Sequence, residues 1–273
     1  EYDVDREPAT PGGTLASYGQ KAALGQRVEV LGLRQMHEVA LTNLAPRTSY
    51  LYRVRSRTED GRELASGVFT FQTAVESDDP FTFGVISDTQ HPPVTKKLTE
   101  LLFAQRPQFR IHAGDLEGGG AGDMDREWRE RLLNPAAALM QRVAVFTAIG
   151  NHDGEPTNLV HYLKYMANPE PEVYYTFTYG NAQFFVINSC RPVDASSEQY
   201  RWLERELERC TAVWRFVVQH HPPYSSELAT YCETRGNRRV QALVGLYERY
   251  HVDIVFAGHS HQYERTWPLR AGK

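Results

Sequence analysis

The sequence predicts an all-β sandwich followed by an α/β domain. Three observations lead there. Short alternating segments separated by turn signals fill the chain before about residue 76. An acidic stretch ending in proline, Val75-Glu76-Ser77-Asp78-Asp79-Pro80, then reads as a linker. Beyond it, short apolar runs alternate with helical patterns, the sign of βαβ units. The two units are placed at 1–76 and 80–273.

The chain has 273 residues, 41% of them hydrophobic, enough for a sizeable core. A net charge of -4 gives no general attraction for nucleic acid or anionic membranes, so a bound anion must be held by local charge. The three cysteines, Cys190, Cys210 and Cys232, fit neither a zinc spacing nor a dense disulfide framework. One bridge or three thiols are both compatible with them. No apolar run reaches membrane-spanning length. Oligomeric state is not legible.

In the first unit, Arg27–Leu31 and His37–Leu41 alternate as half-buried strands do. A turn at Leu44–Ser49 leads into a strictly alternating strand over Tyr50–Ser56, Glu59-Asp60-Gly61-Arg62 is a hairpin signal, and Val68–Thr73 is the next strand. In the second unit, Phe81–Ser87, Phe109–Ala113, Val143–Ile149, Trp214–Val218 and Val252–Ala257 read as strands. Tyr174–Tyr179 and Gln183–Asn188 form a hairpin about Gly180-Asn181. Helices are expected over Lys96–Gln105, over Asp125–Gln141 with a break at Pro135, over Ser196–Cys210 behind a Ser196-x-x-Gln199 capping box, and over Asn237–Tyr250. Trp128, Trp202 and Trp214 are assigned to the core.

Each of the five strand runs is followed by a polar residue able to ligate a metal: Asp88, Asp115, Asn151, His220, and the pair His259/His261. Each alone has an ordinary explanation, as a turn, a helix cap or a satisfied core histidine. Together they would share the carboxyl-end rim where α/β folds collect ligands. If the segment after Gly258 is extended, His259 and His261 point the same way. Carboxylates, imidazoles and an amide oxygen suit a cation centre, and a shared carboxylate can bridge two metals about 3.5–4 Å apart.

Asp88, Gly114-Asp115, Gly150-Asn151-His152-Asp153, His220-x-Pro222 and Gly258-His259-x-His261 resemble the blocks of calcineurin-like metallophosphoesterases. The run Gly258–Arg265 is similar to the last block of purple acid phosphatases. Leu44-x-Pro46-x-Thr48-x-Tyr50, with Tyr52 after it, resembles the tyrosine corner of a fibronectin type III domain, which purple acid phosphatases also carry. Such a sandwich needs about 100 residues, so this one is expected to be incomplete.

The resemblance implies a four-layer αββα catalytic domain and a phosphomonoesterase with two metal ions, iron paired with zinc, manganese or iron. It implies that Asp115 bridges the metals, that Asp88 and His261 hold the first, and that Asn151, His220 and His259 hold the second. A metal-activated hydroxide would attack phosphorus, with His152 on the phosphate. It also implies an extracellular or periplasmic location and a phosphate-ester substrate, while the charge and motifs speak against a nucleic-acid module.

Three departures stand out. The iron tyrosinate of the purple enzymes would fall at Gly118, so a colourless protein is expected. An Asp-x-His block of other family members reads Asp88-Thr89-Gln90, making Gln90 either an amide ligand or a group that orients water. Leaving-group protonation has no obvious donor, and His221 and Tyr224 are the candidates, Tyr224 also for substrate contact. Tyr263, Glu264 and Arg265 are expected to hold the segment after the site. The alternatives are a phosphodiesterase on the same scaffold and a phosphate-binding protein without turnover.

Overall fold

The computed structural model describes residues 2–4, 36, 38–58, 60–119, 122–154, 156–226 and 236–270. The predicted strand at Arg27–Leu31 lies outside them, and 38–41 are not a strand.

The first strands are β1 (Tyr2–Val4), β2 (Ser49–Tyr52), β3 (Arg55–Arg57), β4 (Glu63–Ala65) and β5 (Phe69–Gln72). They make a three-stranded antiparallel sheet, β1-β2-β5, and a β3-β4 hairpin. The expected strand over Tyr50–Ser56 is split because the chain changes partner. Val54 exchanges hydrogen bonds with Ser66, which directs the residues after it onto β4 rather than β5. Tyr50 is buried, stacks on Phe71 and accepts a hydrogen bond from the Ala45 N–H at 2.9 Å. That is the backbone-pinning contact of a tyrosine corner. Tyr52 reaches across to donate to the Gln141 carbonyl at 2.8 Å.

The second unit begins with β6 (Phe83–Ile86), α1 (Pro92–Ala104), β7 (Phe109–His112), α2 (Met124–Trp128), α3 (Asn134–Met140) and β8 (Ala144–Thr147). α4 (Asn151–Gly154) and α5 (Pro156–Tyr165) come next, then β9 (Tyr175–Tyr179), β10 (Ala182–Val186), α6 (Glu198–Arg209), β11 (Trp214–Val218), α7 (Arg238–Gln241), α8 (Val244–Arg249) and β12 (Ile254–Phe256). β6, β7 and β8 form one parallel sheet. The other runs β12-β11-β10-β9, antiparallel only between β9 and β10. α4 and α5 have no counterpart among the expected helices.

An aromatic layer joins the two sheets. Phe83 and Phe109 stack at 5.1 Å, and Phe184 meets Phe109 edge-on at 5.4 Å. Such pairs contribute about 0.5–1.5 kcal/mol each beyond their area. A second core lies between β10/β11 and α6–α8, with Phe185, Leu203, Val217 and Leu246. The period of two explains the division: Phe184 and Val186 face the partner sheet, Phe185 and Ile187 the helices.

Local expectations needed correction at several points. The break near Pro135 is a π-helical segment, Arg129–Leu133, after which the helix resumes with Pro135 as the second residue of α3. α6 is capped by Ser197, whose hydroxyl accepts from the Tyr200 N–H at 3.1 Å. Gln199 instead turns inward and grips the Asn188 backbone through both amide atoms. The single helix expected over Asn237–Tyr250 is two short ones, because bonding tightens to i→i+3 at Ala242 and Leu243. Trp214 is 47% exposed rather than core, whereas Trp128 is wholly buried. Cys190 and Cys210 are free thiols, and burial pushes Cys190 up to about 12. No helix among the described residues is long and apolar enough to cross a membrane.

Candidate metal centre

β6, β7, β8, β10, β11 and β12 have parallel neighbours, and the candidate residues follow the carboxyl ends of five of them, β6, β7, β8, β11 and β12. Backbone bonds from Asp88 N to Gly114 O and from Gly258 N to His220 O tie the ends together. Asp88, Asp115 and His259 all have left-handed backbones, with φ of 54, 55 and 67°. For residues other than glycine such a conformation costs of order 1–3 kcal/mol and persists only where its surroundings enforce it.

Asp115 lies between the other candidates. Its Oδ1 accepts from the His152 N–H at 2.9 Å, and its Oδ2 accepts from the Gln90 amide at 2.9 Å. His220 Nε2 is 3.4 Å from Oδ2, and His152 Nε2 is 3.8 Å away. Burial opposes ionisation of Asp115, but the hydrogen bond and charge of His220 outweigh it and bring its pKa below the ordinary value.

His220 is wholly buried, and its tautomer is set by its partners. Nδ1 faces the Ala113 carbonyl at 2.9 Å, which can only accept, so Nδ1 carries the proton. Nε2 then faces the Asn151 amide oxygen at 3.1 Å and His259 Nδ1 at 3.2 Å. Burial works against a charged His220, but Asp115 and then Asp88 raise its pKa overall.

On the other side, Asp88 Oδ2 accepts from the His259 N–H at 2.9 Å, and His261 Nε2 stands 3.4 Å from Asp88 Oδ1. Asp88 Oδ1 is buried and accepts no hydrogen bond among the described residues. The two histidines therefore do not share one target. Ser260 N bonds Gly258 O and Gln262 N bonds Ser260 O, so the segment is a pair of tight turns, not extended chain. His259 is thereby aimed at His220 and His261 at Asp88.

Two glycines permit this approach. A Cβ on Gly150 would stand 2.1 Å from Asp115 Oδ1, and one on Gly114, at φ 92°, would stand 2.6 Å from His220 Nδ1. Neither requirement can be read from a Gly-Asp or Gly-Asn pair alone.

The remaining candidates fall around this group. Gln90 is buried and turns its amide nitrogen, not its oxygen, to Asp115. His152 has a half-exposed ring. His221 is buried, with Nδ1 2.8 Å from Ser189 Oγ; burial, then the charges of His220, His259 and Arg239, hold its pKa down to about 2. Tyr224 lies partly exposed beyond it, with no side-chain hydrogen bond among the described residues. Glu264 tethers the loop after β11, accepting from Ser225 Oγ at 2.9 Å and Ser226 N at 2.7 Å, whereas Tyr263 and Arg265 are exposed.

Asp153 has a role that sequence reasoning did not assign. Its buried carboxylate accepts from the backbone N–H groups of Asp115 at 2.7 Å, Leu116 at 3.0 Å and Gly150 at 3.0 Å. It braces the turn carrying Asp115. Burial, then the Asp115 charge, push its pKa up to about 7. The only sequence signal was its place in Asn151-His152-Asp153.

Among the described residues, Asp88, Asp115 and His220 present ligand atoms all within 4.8 Å of one another. Two carboxylates, the Asn151 amide oxygen and imidazole nitrogens thus face one another across the rim. The donor set of carboxylate, imidazole and amide oxygen fits first-row transition ions.

A family model described as calcineurin-like phosphoesterase matches residues 81–263, well over half of the chain. The chain is 30% identical over 250 residues to Purple acid phosphatase 21 of Arabidopsis thaliana, covering 86% of this chain and 54% of that protein. It is 26% identical over 256 residues to phosphoenolpyruvate phosphatase of Allium cepa, covering 86% and 51%. It therefore spans about half the length of these curated relatives. A purple acid phosphatase from yellow lupin (Lupinus luteus) seeds superposes with a TM-score of 0.71 at 19% identity, over 85% of this chain and 47% of that one, a likeness of fold. With the matched segment carrying all five strand ends of the rim, the protein belongs to the calcineurin-like phosphoesterase family.

Proposed function

We propose that the protein is a metal-dependent phosphohydrolase that cleaves phosphomonoesters at a centre of two metal ions. The observation that carries this is the convergence of Asp88, Asp115 and His220 within 4.8 Å at the rim. Asn151 and His259 close one side of that group and His261 the other. In this reading Asp115 would contribute to holding both ions, Asp88 and His261 would hold one, and Asn151, His220 and His259 would hold the other. When bound, such ions supply Lewis acidity, acidifying water near neutral pH and offsetting charge on phosphoryl oxygens.

The chain's own residues supply the geometry. Gln90 and the His152 N–H fix the two Asp115 oxygens, and Asp153 fixes the turn beneath them. Fixed dipoles need no reorganisation during reaction, which is where electrostatic catalysis gains most. In this reading the half-exposed His152 ring, beside Asp115, contacts the phosphoryl oxygens. His221 is kept unprotonated and engaged with Ser189, so it suits positioning of the His220 loop better than proton donation.

Iron with zinc, manganese or iron is the metal pairing we propose, in a secreted or periplasmic protein whose residues 1–76 form a fibronectin type III-like module before a catalytic domain at 80–273. The relatives and the tyrosine corner at Tyr50 support this. The test pairs elemental analysis of protein purified without chelators with hydrolysis of mono- and bis-nitrophenyl phosphate. Two metals per chain and faster monoester hydrolysis, lost in His259→Ala, are expected. Faster diester hydrolysis would make it a phosphodiesterase. No turnover on either substrate with zinc, manganese or iron added would leave a phosphate-binding protein.

A further inference from the structure

Arg110 is the second residue of β7, the central strand of the three-stranded sheet, and it is wholly buried. Phe109 and Ile111 face the aromatic layer, so Arg110 faces the other way. Its ladder neighbours are Gly84 and Val145. A Cβ on Gly84 would strike Leu102, which shows that α1 covers this face. Among the described residues, Arg110 Nε, Nη1 and Nη2 all lack a hydrogen-bond partner.

Among the described residues, no element beside it supplies a counter-charge. β6, β8 and α3 contain no acidic residue, and the one on α1, Glu100, is exposed and 4.0 Å from Lys96. Burial lowers the Arg110 pKa only to about 10, so the group stays charged at neutral pH. A buried charge is tolerated when it is paired, and removing or omitting its partner is strongly destabilising. Internal water could accept its five N–H bonds but would leave the charge in place.

We propose that Arg110 holds a small monovalent inorganic anion of the halide class between β7 and α1. The guanidinium supplies the charge and a fork of donors, and α1 covers the face it occupies. The site is a structural one, separate from phosphoester chemistry, so its test does not depend on activity.

The experiment melts the full chain and Arg110→Met in rising sodium chloride or bromide, with gluconate holding ionic strength constant. Wild type should show a saturable rise of roughly 5–10 °C at a hundredfold excess over the dissociation constant. Arg110→Met should show none. Crystals grown in bromide should give an anomalous peak beside the guanidinium. Melting of wild type that ignores halide, an equal response in Arg110→Met, or only water beside the guanidinium would each overturn the proposal. If Arg110→Met does not fold, the wild-type titration and the bromide map decide it.

Discussion

Gly150→Ala tests most directly whether the rim works through close packing. The added methyl would lie 2.1 Å from Asp115 Oδ1 and 2.2 Å from Asp115 N. Nonbonded carbon contacts are optimal near 3.5–4.0 Å, so the turn and the carboxylate must separate by more than about 1 Å. Neither neighbour is a flexible tip: Asp115 N is backbone and is held by Asp153. Overpacking of this kind costs typically 1–3 kcal/mol of stability. A misplacement of about 1 Å can cost on the order of 100-fold in rate. The assay is kcat/KM on a phosphomonoester together with metal content per chain. Gly245→Ala is the control, since a Cβ there meets nothing within 4 Å. The expected result is a loss of roughly 100-fold in Gly150→Ala with reduced metal content, and unchanged activity in Gly245→Ala. Gly150→Ala within about threefold of wild type and with full metal content would refute the reasoning.

Gly245→Ala should itself raise stability by about 0.5–1 kcal/mol in a denaturant melt, because it lies inside α8. Tyr50→Phe should lower stability by about 1–2 kcal/mol in the same melt by depriving the Ala45 N–H of its acceptor, and an unchanged midpoint would deny the corner any weight. The Lys164 hydrogen bond, then that of Tyr165, hold Asp125 down from 3.8 to about 2. A depressed carboxylate stabilises the fold above 3.8 and loses that contribution as pH falls through about 2. Thermal melts across that window should fall more steeply for wild type than for Asp125→Asn, and parallel slopes would count against the pairing. Iron-loaded protein should lack a strong visible charge-transfer band, since Gly118 offers no phenolate; an intense band in an absorption spectrum would show another tyrosine at the metal.

The order of elements and the identity of the rim were legible because each rests on local signals. Strands end where a polar residue, behind a glycine at three of the five ends, follows an apolar run, and the parallel topology then puts those ends together. Asp88, Asp115, Asn151, His220, His259 and His261 could be named on that ground, and the spacing of the blocks added the family.

Contacts between distant segments were decided by tertiary structure alone. Sequence periodicity could not split Tyr50–Ser56, because the split depends on Ser66 capturing Val54. It could not move the α6 cap to Ser197, because Gln199 is drawn away by Asn188. An extended chain would have aimed His259 and His261 together, whereas two tight turns separate them. The brace from Asp153 to the Asp115 turn joins residues 38 apart, and the orphaned charge of Arg110 exists only because a helix packs over its strand. Local sequence fixes which backbone states are cheap. Which donors lack acceptors, and which carboxylates lie near another charge, depends on the segments that the fold brings from elsewhere.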